Sequence, residues 1–310
     1  MSLTRSLFLA LSRSGSLQRL SAGLPPMRAM VRRFVAGETL QEAVAAVQAL
    51  NDAGLLATLD HLGENVTTET EARDSGNEIL DLVAAIEEEG LDSGVSVKLT
   101  QLGLDLGPWL ATENLQRIVA RAAKAGRFVR IDMESHEYVD ATLDIFRGLW
   151  DRYKNLGVVI QSYLYRSDDD VARLVEMGAS VRLVKGAYDE PPEVAYPDKA
   201  DTDAAYVRQM ERLFSPEARA NGVVPAIATH DMRLIDWAKE YAQQQGIGRE
   251  EFEFQMLYGI RPGLQRQLAA EGYRVRAYVP YGRQWYPYFM RRLAERPANV
   301  LFLLRNLLRR

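Results

Sequence analysis

Two adjacent arginines, Arg291 and Arg292, stand within the segment 278–299, YVPYGRQWYPYFMRRLAERPAN. A β-type run over 274–279 breaks at Pro280 and Gly282, and a helical pattern resumes over 284–296. Steps of three and four residues bring Trp285, Tyr288, Arg291, Arg292, Glu295 and Asn299 onto one face of that helix, with Phe289, Met290 and Leu293 opposite. Such a helix can be anchored by its apolar side while its arginines meet a ligand. The planar, always-charged guanidinium suits two-pronged binding of a carboxylate. Taken alone, an arginine pair near a chain end more often lies on a solvated face. The elements that must position it decide between the two.

Apolar β-like runs fall at 55–61, 95–100, 128–133, 158–162, 181–185, 224–229, 252–256 and 274–279. Helical patterns fill the gaps, over 68–89, 112–125, 137–154, 168–178, 201–220, 232–245, 262–271 and 284–296. Strand and helix alternating in this way predict an α/β fold, a (βα)₈ barrel over 51–310, preceded by an N-terminal helical arm over 1–50. The long connection 189–199, with Pro191, Pro192, Tyr196 and Pro197, reads as a loop over the catalytic face.

Two strands alternate apolar with polar residues: Val95, Val97 and Leu99 against Ser96, Lys98 and Thr100, and Val129, Ile131 and Met133 against Arg130, Asp132 and Glu134. In a barrel the apolar side faces the helices, so the charges enter the lumen, where they must pair or bind something. Gln161, Arg182, Gln255 and Tyr278 join them on later strands. A purely structural ion-pair network stays open as the other reading. Barrel enzymes work at the C-terminal strand ends, here Lys98, Asp132, Gln161, Lys185 with Gly186, Thr229 with His230, Leu257 with Tyr258, and Tyr278.

Composition narrows the chemistry. The 310 residues carry a net charge of −4 and no cysteine, which argues against nucleic acid as a partner and excludes thiolate nucleophiles and disulfides. Only His61, His136 and His230 supply imidazoles, without metal-ligand spacing, so no metal is expected. No GxGxxG follows any strand and no phosphate-binding P-loop is present. The first acid is Glu38, after arginines at 5, 13, 19, 28, 32 and 33, and the segment 301–310 is likewise basic and leucine-rich. Both suit contact with an anionic membrane surface, in a cytoplasmic protein that touches the inner face of the membrane at most peripherally.

The segments VRLVKGAY (181–188), ATHD (228–231), FQMLYGIR (254–261) and RVRAYVPYG followed by YFMRRLAERPAN (274–299) resemble the proline dehydrogenase family, in family order and over about 32–299. The resemblance implies a distorted TIM-type barrel holding FAD, with the last helix over the C-terminal strand ends. It implies that Arg291 and Arg292 hold the carboxylate of L-proline with help from Lys98, that Asp132 fixes Lys98 or a neighbouring donor, and that Leu257, Tyr278 and Tyr288 wall the ring. Gln161, Arg182, Lys185, the Gly186–Ala187 backbone, Thr229 and His230 match flavin contacts, and Glu295 belongs to the same motif. A bulky Tyr278 goes with unsubstituted proline and not 4-hydroxyproline. The length matches the stand-alone form, which passes Δ1-pyrroline-5-carboxylate to a separate dehydrogenase and its electrons to a membrane quinone. Two other functions compete with this one. Lys98 and Lys185 at strand ends would also suit a Schiff-base lyase, and a carboxylate clamp without turnover would suit a binding protein.

Overall fold

The computed structural model describes residues 31–63 and 66–295. The chain enters through α1 (Leu40–Asp52), β1 (Leu56–His61), α2 (Glu69–Glu88), β2 (Ser93–Val97), α3 (Pro108–Lys124) and β3 (Val129–Ile131). It continues through α4 (Val139–Trp150), β4 (Leu156–Gln161), α5 (Ser167–Glu176), β5 (Ser180–Val184), α6 (Lys199–Leu213), α7 (Pro216–Ala220) and β6 (Ala226–Ala228). Last come α8 (Met232–Gln244), β7 (Glu253–Leu257), α9 (Pro262–Ala270), β8 (Arg274–Tyr281) and α10 (Trp285–Glu295). The strands close in the order β1 to β8, all parallel, with β8 back against β1. This is the (βα)₈ barrel that the alternating pattern predicts.

Local chemistry sets the helix starts. Thr39 with Glu42 and Thr68 with Glu71 form reciprocal caps for α1 and α2, which satisfy backbone N–H groups that have no partner within a first turn. The single helix expected over 201–220 is two, because Ser215 caps a new helix and Pro216 occupies its first turn. α1 buries Ala43 and Val47 in the same core as the barrel wall, so a division at residue 50 would fall inside a helix of the barrel's own outer layer. Residues 1–30 of the expected arm, and the basic segment 301–310, lie outside the described residues.

The wall is an apolar annulus. Leu59, Val95, Val97, Ile131, Val158, Leu183, Phe254 and Val279 point outward onto Ile79, Leu82, Ile118, Phe146 and Ile235, each buried to within 2% of completely. Each such side chain contributes roughly 1.5–3 kcal/mol, a reserve large enough to carry charges placed on the inner face. Several strands are shorter than expected: β2 ends at Val97, β3 at Ile131 and β6 at Ala228. Lys98, Asp132 and Thr229 therefore stand on the turns that leave the strands.

β8 runs through Pro280 to Tyr281, past the expected break at Pro280. Proline lacks an N–H but keeps its carbonyl, and here that carbonyl accepts a hydrogen bond from the Ala36 N–H (2.9 Å). The Gly282 N–H then donates to the Gly37 carbonyl (2.9 Å), so residues 31–38 lie along the exit of β8. They form a second apolar cluster in which Val31, Phe34 and Val35 pack on Trp285, Phe289 and Met290 of α10. The Gly259 turn has φ +73°, and a Cβ there would come 1.6 Å from the Arg33 carbonyl oxygen. Only glycine lets these two backbones meet.

Candidate active site

Alternation along the strands sends Thr58 and Asp60, Ser96 and Lys98, Arg130 and Asp132, Val159 and Gln161, Glu253, Gln255 and Leu257, and Arg276 and Tyr278 toward the barrel axis. They form two levels. Near the N-terminal strand ends Arg276 grips Glu253 with two hydrogen bonds (2.8 and 3.1 Å). Arg130 there donates to the Ser180 carbonyl (2.8 Å) and hydroxyl (3.1 Å). Above them a cavity of about 560 Å³ opens at the C-terminal strand ends, a size suited to a small ligand with part of a cofactor.

Four groups from the ends of four strands meet beneath it. Lys98 Nζ lies 3.1 Å from both Asp60 carboxylate oxygens and 3.5 Å from Asp132. The Tyr278 hydroxyl is 2.6 Å from Asp60 and 2.7 Å from Asp132. Asp132 also accepts from Ser96 (3.0 Å) and Arg182 (2.8 Å), and the Arg182 guanidinium sits 5.3 Å from the Tyr278 ring centre. Burial favours the neutral form of Asp132, but the Lys98 and Arg182 charges and the Tyr278 and Ser96 hydrogen bonds outweigh it and hold its carboxyl below the usual range. Burial, then the Asp132 and Asp60 charges, push the Tyr278 phenol well above its ordinary value, so it stays protonated.

The opposite wall carries a second ionic group. Lys185 Nζ pairs with Asp203 (2.5 Å) and Asp231 (2.9 Å). Asp231 also caps α8 by accepting from the Arg233 N–H (3.2 Å). Burial raises the Asp231 carboxyl, but the hydrogen bonds from Arg233 and Lys185 override it and leave a net depression. Both strand-end lysines are thus held by carboxylates, and neither side chain stands free for the attack on a carbonyl that a Schiff-base lyase needs. Gly186 has φ +119° and the Tyr163 ring lies 2.4 Å from where its Cβ would stand. Glycine alone fits this close turn, which faces the Gly186–Ala187 backbone toward the cavity.

The His230 ring Nε2 accepts from the Leu257 backbone N–H (3.0 Å). A backbone amide can only donate, so this contact needs an unprotonated Nε2 and puts the ring proton of the neutral imidazole on Nδ1. His230 therefore ties the end of β6 to the end of β7. The 189–199 loop is pinned beside the cavity: Glu190 accepts from the His136 N–H (2.9 Å) and contacts its ring and the Tyr163 hydroxyl, and Tyr165 donates to the Pro192 carbonyl.

Of the residues singled out from sequence, Lys98, Asp132, Gln161, Arg182, Lys185, Gly186, Ala187, Thr229, His230, Leu257, Tyr278, Tyr288 and Arg292 all line this one cavity. The Arg292 guanidinium lies 5.3 Å from the Tyr288 ring centre. The side chains of Arg291 and Glu295 lie outside the described residues. Trp285, expected on the ligand-facing side of α10, turns instead into the second apolar cluster, edge-on to Phe289, with its Nε1 donating to Glu38 (3.2 Å). Sequence reading missed Asp60. The signal was present: Ala57 and Leu59 face outward, which sends Asp60 inward.

A closed parallel barrel whose C-terminal mouth gathers fixed cations, carboxylates and phenols has the architecture of a TIM-barrel enzyme. Comparison with known proteins makes this specific. A family model described as proline dehydrogenase matches residues 43–305, and the chain belongs to the proline dehydrogenase family. Proline dehydrogenase 1 of Bacillus subtilis subsp. natto is 44% identical over 307 residues, covering 99% of each chain. Proline dehydrogenase of Deinococcus radiodurans is 46% identical over 285 residues, 90% of each. Among solved structures, proline utilization A from Bdellovibrio bacteriovorus, inactivated by N-propargylglycine, superposes with a TM-score of 0.81 at 30% identity. That match covers 87% of this chain and 33% of the other, so the chain spans about a third of that longer protein.

The family implies a flavin, and the donor set fits one. The Gln161 amide, Arg182, Lys185 and the Gly186–Ala187 backbone are hydrogen-bond donors or cations on the cavity wall, suited to the oxygens and nitrogens of an electron-accepting heterocycle.

Proposed function

We propose that the protein binds FAD and oxidises L-proline to Δ1-pyrroline-5-carboxylate. The observation that carries this reading is the single cavity lined by Lys98 and Arg292, which suit a carboxylate, and by Tyr278, Tyr288 and Leu257, which suit a five-membered ring. FAD, when bound, would supply the two-electron acceptor that oxidation of the ring carbon beside nitrogen requires, with the amine proton released to water. The rest of the work is positioning. Lys98 and Arg292 hold the carboxylate, the two phenols and Leu257 fix the ring face, and Asp132 keeps Lys98 and Arg182 in place. Gln161, Lys185, Gly186, Ala187, Thr229 and His230 would hold the cofactor, and the Arg182 guanidinium would favour negative charge on it. Arg291 and Glu295, whose side chains lie outside the described residues, are assigned to the same two sets by the family resemblance.

Electrons then pass to a membrane quinone, and the imine product passes to a separate dehydrogenase. No described helix is long and apolar enough to cross a membrane. Contact of the basic terminal segments with an anionic lipid surface is the route to the quinone that this reading adds. Flotation with anionic vesicles tests that contact, and its absence counts against it. The main test is spectroscopic: purified protein carries a flavin absorbance that L-proline bleaches without oxygen. A colourless protein in which borohydride traps a lysine adduct would overturn the reading.

A further inference from the structure

Asp60 is wholly buried, and it touches two cavity groups at once without lining the cavity itself. The register explains how. Asp60 stands beside Ser96 on β2 and Pro280 on β8, so its inward-facing neighbours are Lys98, two residues on, and Tyr278, two residues back. Both Asp60 oxygens lie 3.1 Å from the Lys98 ammonium, and one lies 2.6 Å from the Tyr278 hydroxyl.

Asp132, just past the end of β3, reaches the same two groups but is shared: Arg182 and Ser96 occupy its other oxygen. Without Asp60, the Lys98 ammonium would lose both of its 3.1 Å contacts and be left with longer ones to Asp132 and the Tyr278 hydroxyl, each at 3.5 Å, while the phenol would keep the Asp132 carboxylate at 2.7 Å. A phenol held at one point pivots about its own side-chain torsions, whereas one held between carboxylates on two strands cannot. Among the described residues, the charged and titratable groups in contact with this node are Lys98 just after β2, Asp132 just after β3, Arg182 from β5 and Tyr278 from β8.

We propose that Asp60 is a positioning residue that locks the Tyr278 ring and the Lys98 ammonium into one unit, and so sets how large a ring the cavity admits. This rests on the proline-oxidising function proposed above. Asp60 acts at a distance from substrate: the lock keeps the phenol where a ring hydroxyl would collide with it, and keeps Lys98 within reach of the carboxylate.

The test is a double-mutant cycle on the holoenzyme with Asp60→Asn, Tyr278→Phe and both together. It reads KM and kcat for L-proline, the ratio of kcat/KM between L-proline and trans-4-hydroxy-L-proline, and the affinity for tetrahydrofuran-2-carboxylate from the change in flavin absorbance. Asp60→Asn should raise the proline KM by roughly tenfold or more with a smaller fall in kcat, and weaken the analogue to match. It should also lower the discrimination ratio by about tenfold, Tyr278→Phe should do the same, and the double variant should discriminate no worse than either single one. The proposal is overturned by an Asp60→Asn holoenzyme with wild-type KM and discrimination, or by additive losses in the double variant. Should Asp60→Asn fail to accumulate with flavin, unchanged discrimination in Tyr278→Phe overturns it alone. Wild-type protein whose flavin L-proline does not bleach would instead remove the functional reading underneath.

Discussion

The two levels of the barrel lumen are built from the same strands and the same residue types, yet they do different work. Arg130 and Asp132 are two residues apart on one strand exit, about 7 Å along the chain, and Arg276 and Tyr278 repeat the relation on β8. At the lower level Arg276, Glu253 and Arg130 spend their hydrogen bonds on one another and on strand carbonyls. At the upper level Lys98, Asp132, Arg182 and Tyr278 pair among themselves on one side and face a cavity on the other. A charge inside a barrel is thus no sign of chemistry by its nature. Its height along the strand decides whether a ligand can share it.

Substitutions at each level should separate the two roles, and the largest effect belongs to the cavity. Arg292→Met should leave a substrate carboxylate short of a cationic partner, costing roughly 3–5 kcal/mol in a desolvated site and raising the proline KM by roughly 10²-fold to several thousand-fold. Thermal stability should change little. An unchanged KM in steady-state kinetics would show that Arg292 does not bind the substrate carboxylate.

The lower level should fail in the opposite manner. Burial favours neutral Glu253, but the Arg276 charge and hydrogen bonds, with Gln255 and Arg130, outweigh it and hold its carboxyl at about 2. A folded value below the unfolded one gives stability that is present above the unfolded carboxylate range and is lost as pH falls toward the folded value. Against an unfolded value near 4.3 the difference is worth about 3 kcal/mol, lost progressively between about pH 5 and pH 2. Glu253→Gln should lower Tm at neutral pH and flatten this acid limb in denaturation curves. Because the cavity is untouched, the proline KM should stay within about twofold. A large KM change would merge the two levels.

The smallest expected effect lies at the junction. Gln255 accepts from Arg182 of the upper level and donates to Glu253 of the lower. Gln255→Met leaves one buried donor and one buried acceptor short of a partner, costing about 1–3 kcal/mol of stability. It should also loosen Arg182, seen as a few-fold loss of flavin affinity in titration of the apoprotein. Loss of stability with flavin affinity intact would show that the levels are independent.

The strand and helix count was legible because an apolar wall imposes its own periodicity, and strand-end position picked out most of the cavity lining. Three features escaped. Strand length did, because Lys98 and Asp132 leave β2 and β3 early, and turn hydrogen bonds such as Leu102 N–H to the Lys98 carbonyl decide that locally. Trp285 followed helical spacing to the wrong side, since residues 31–38 offer it a partner that no local pattern reveals. Asp60 was overlooked because its importance comes from β8 returning to lie beside β1, a contact between residues far apart in sequence.

That return has a consequence for how the molecule is made. The Phe34–Phe289 contact and the β1–β8 seam both join early residues to late ones, so neither can form until nearly all the described chain has been synthesised. Val31, Phe34 and Val35 must wait, greasy and uncovered, through the whole of translation. A nascent chain stalled before Trp285 would hold a nearly complete wall with no roof, and would be a ready client for a chaperone.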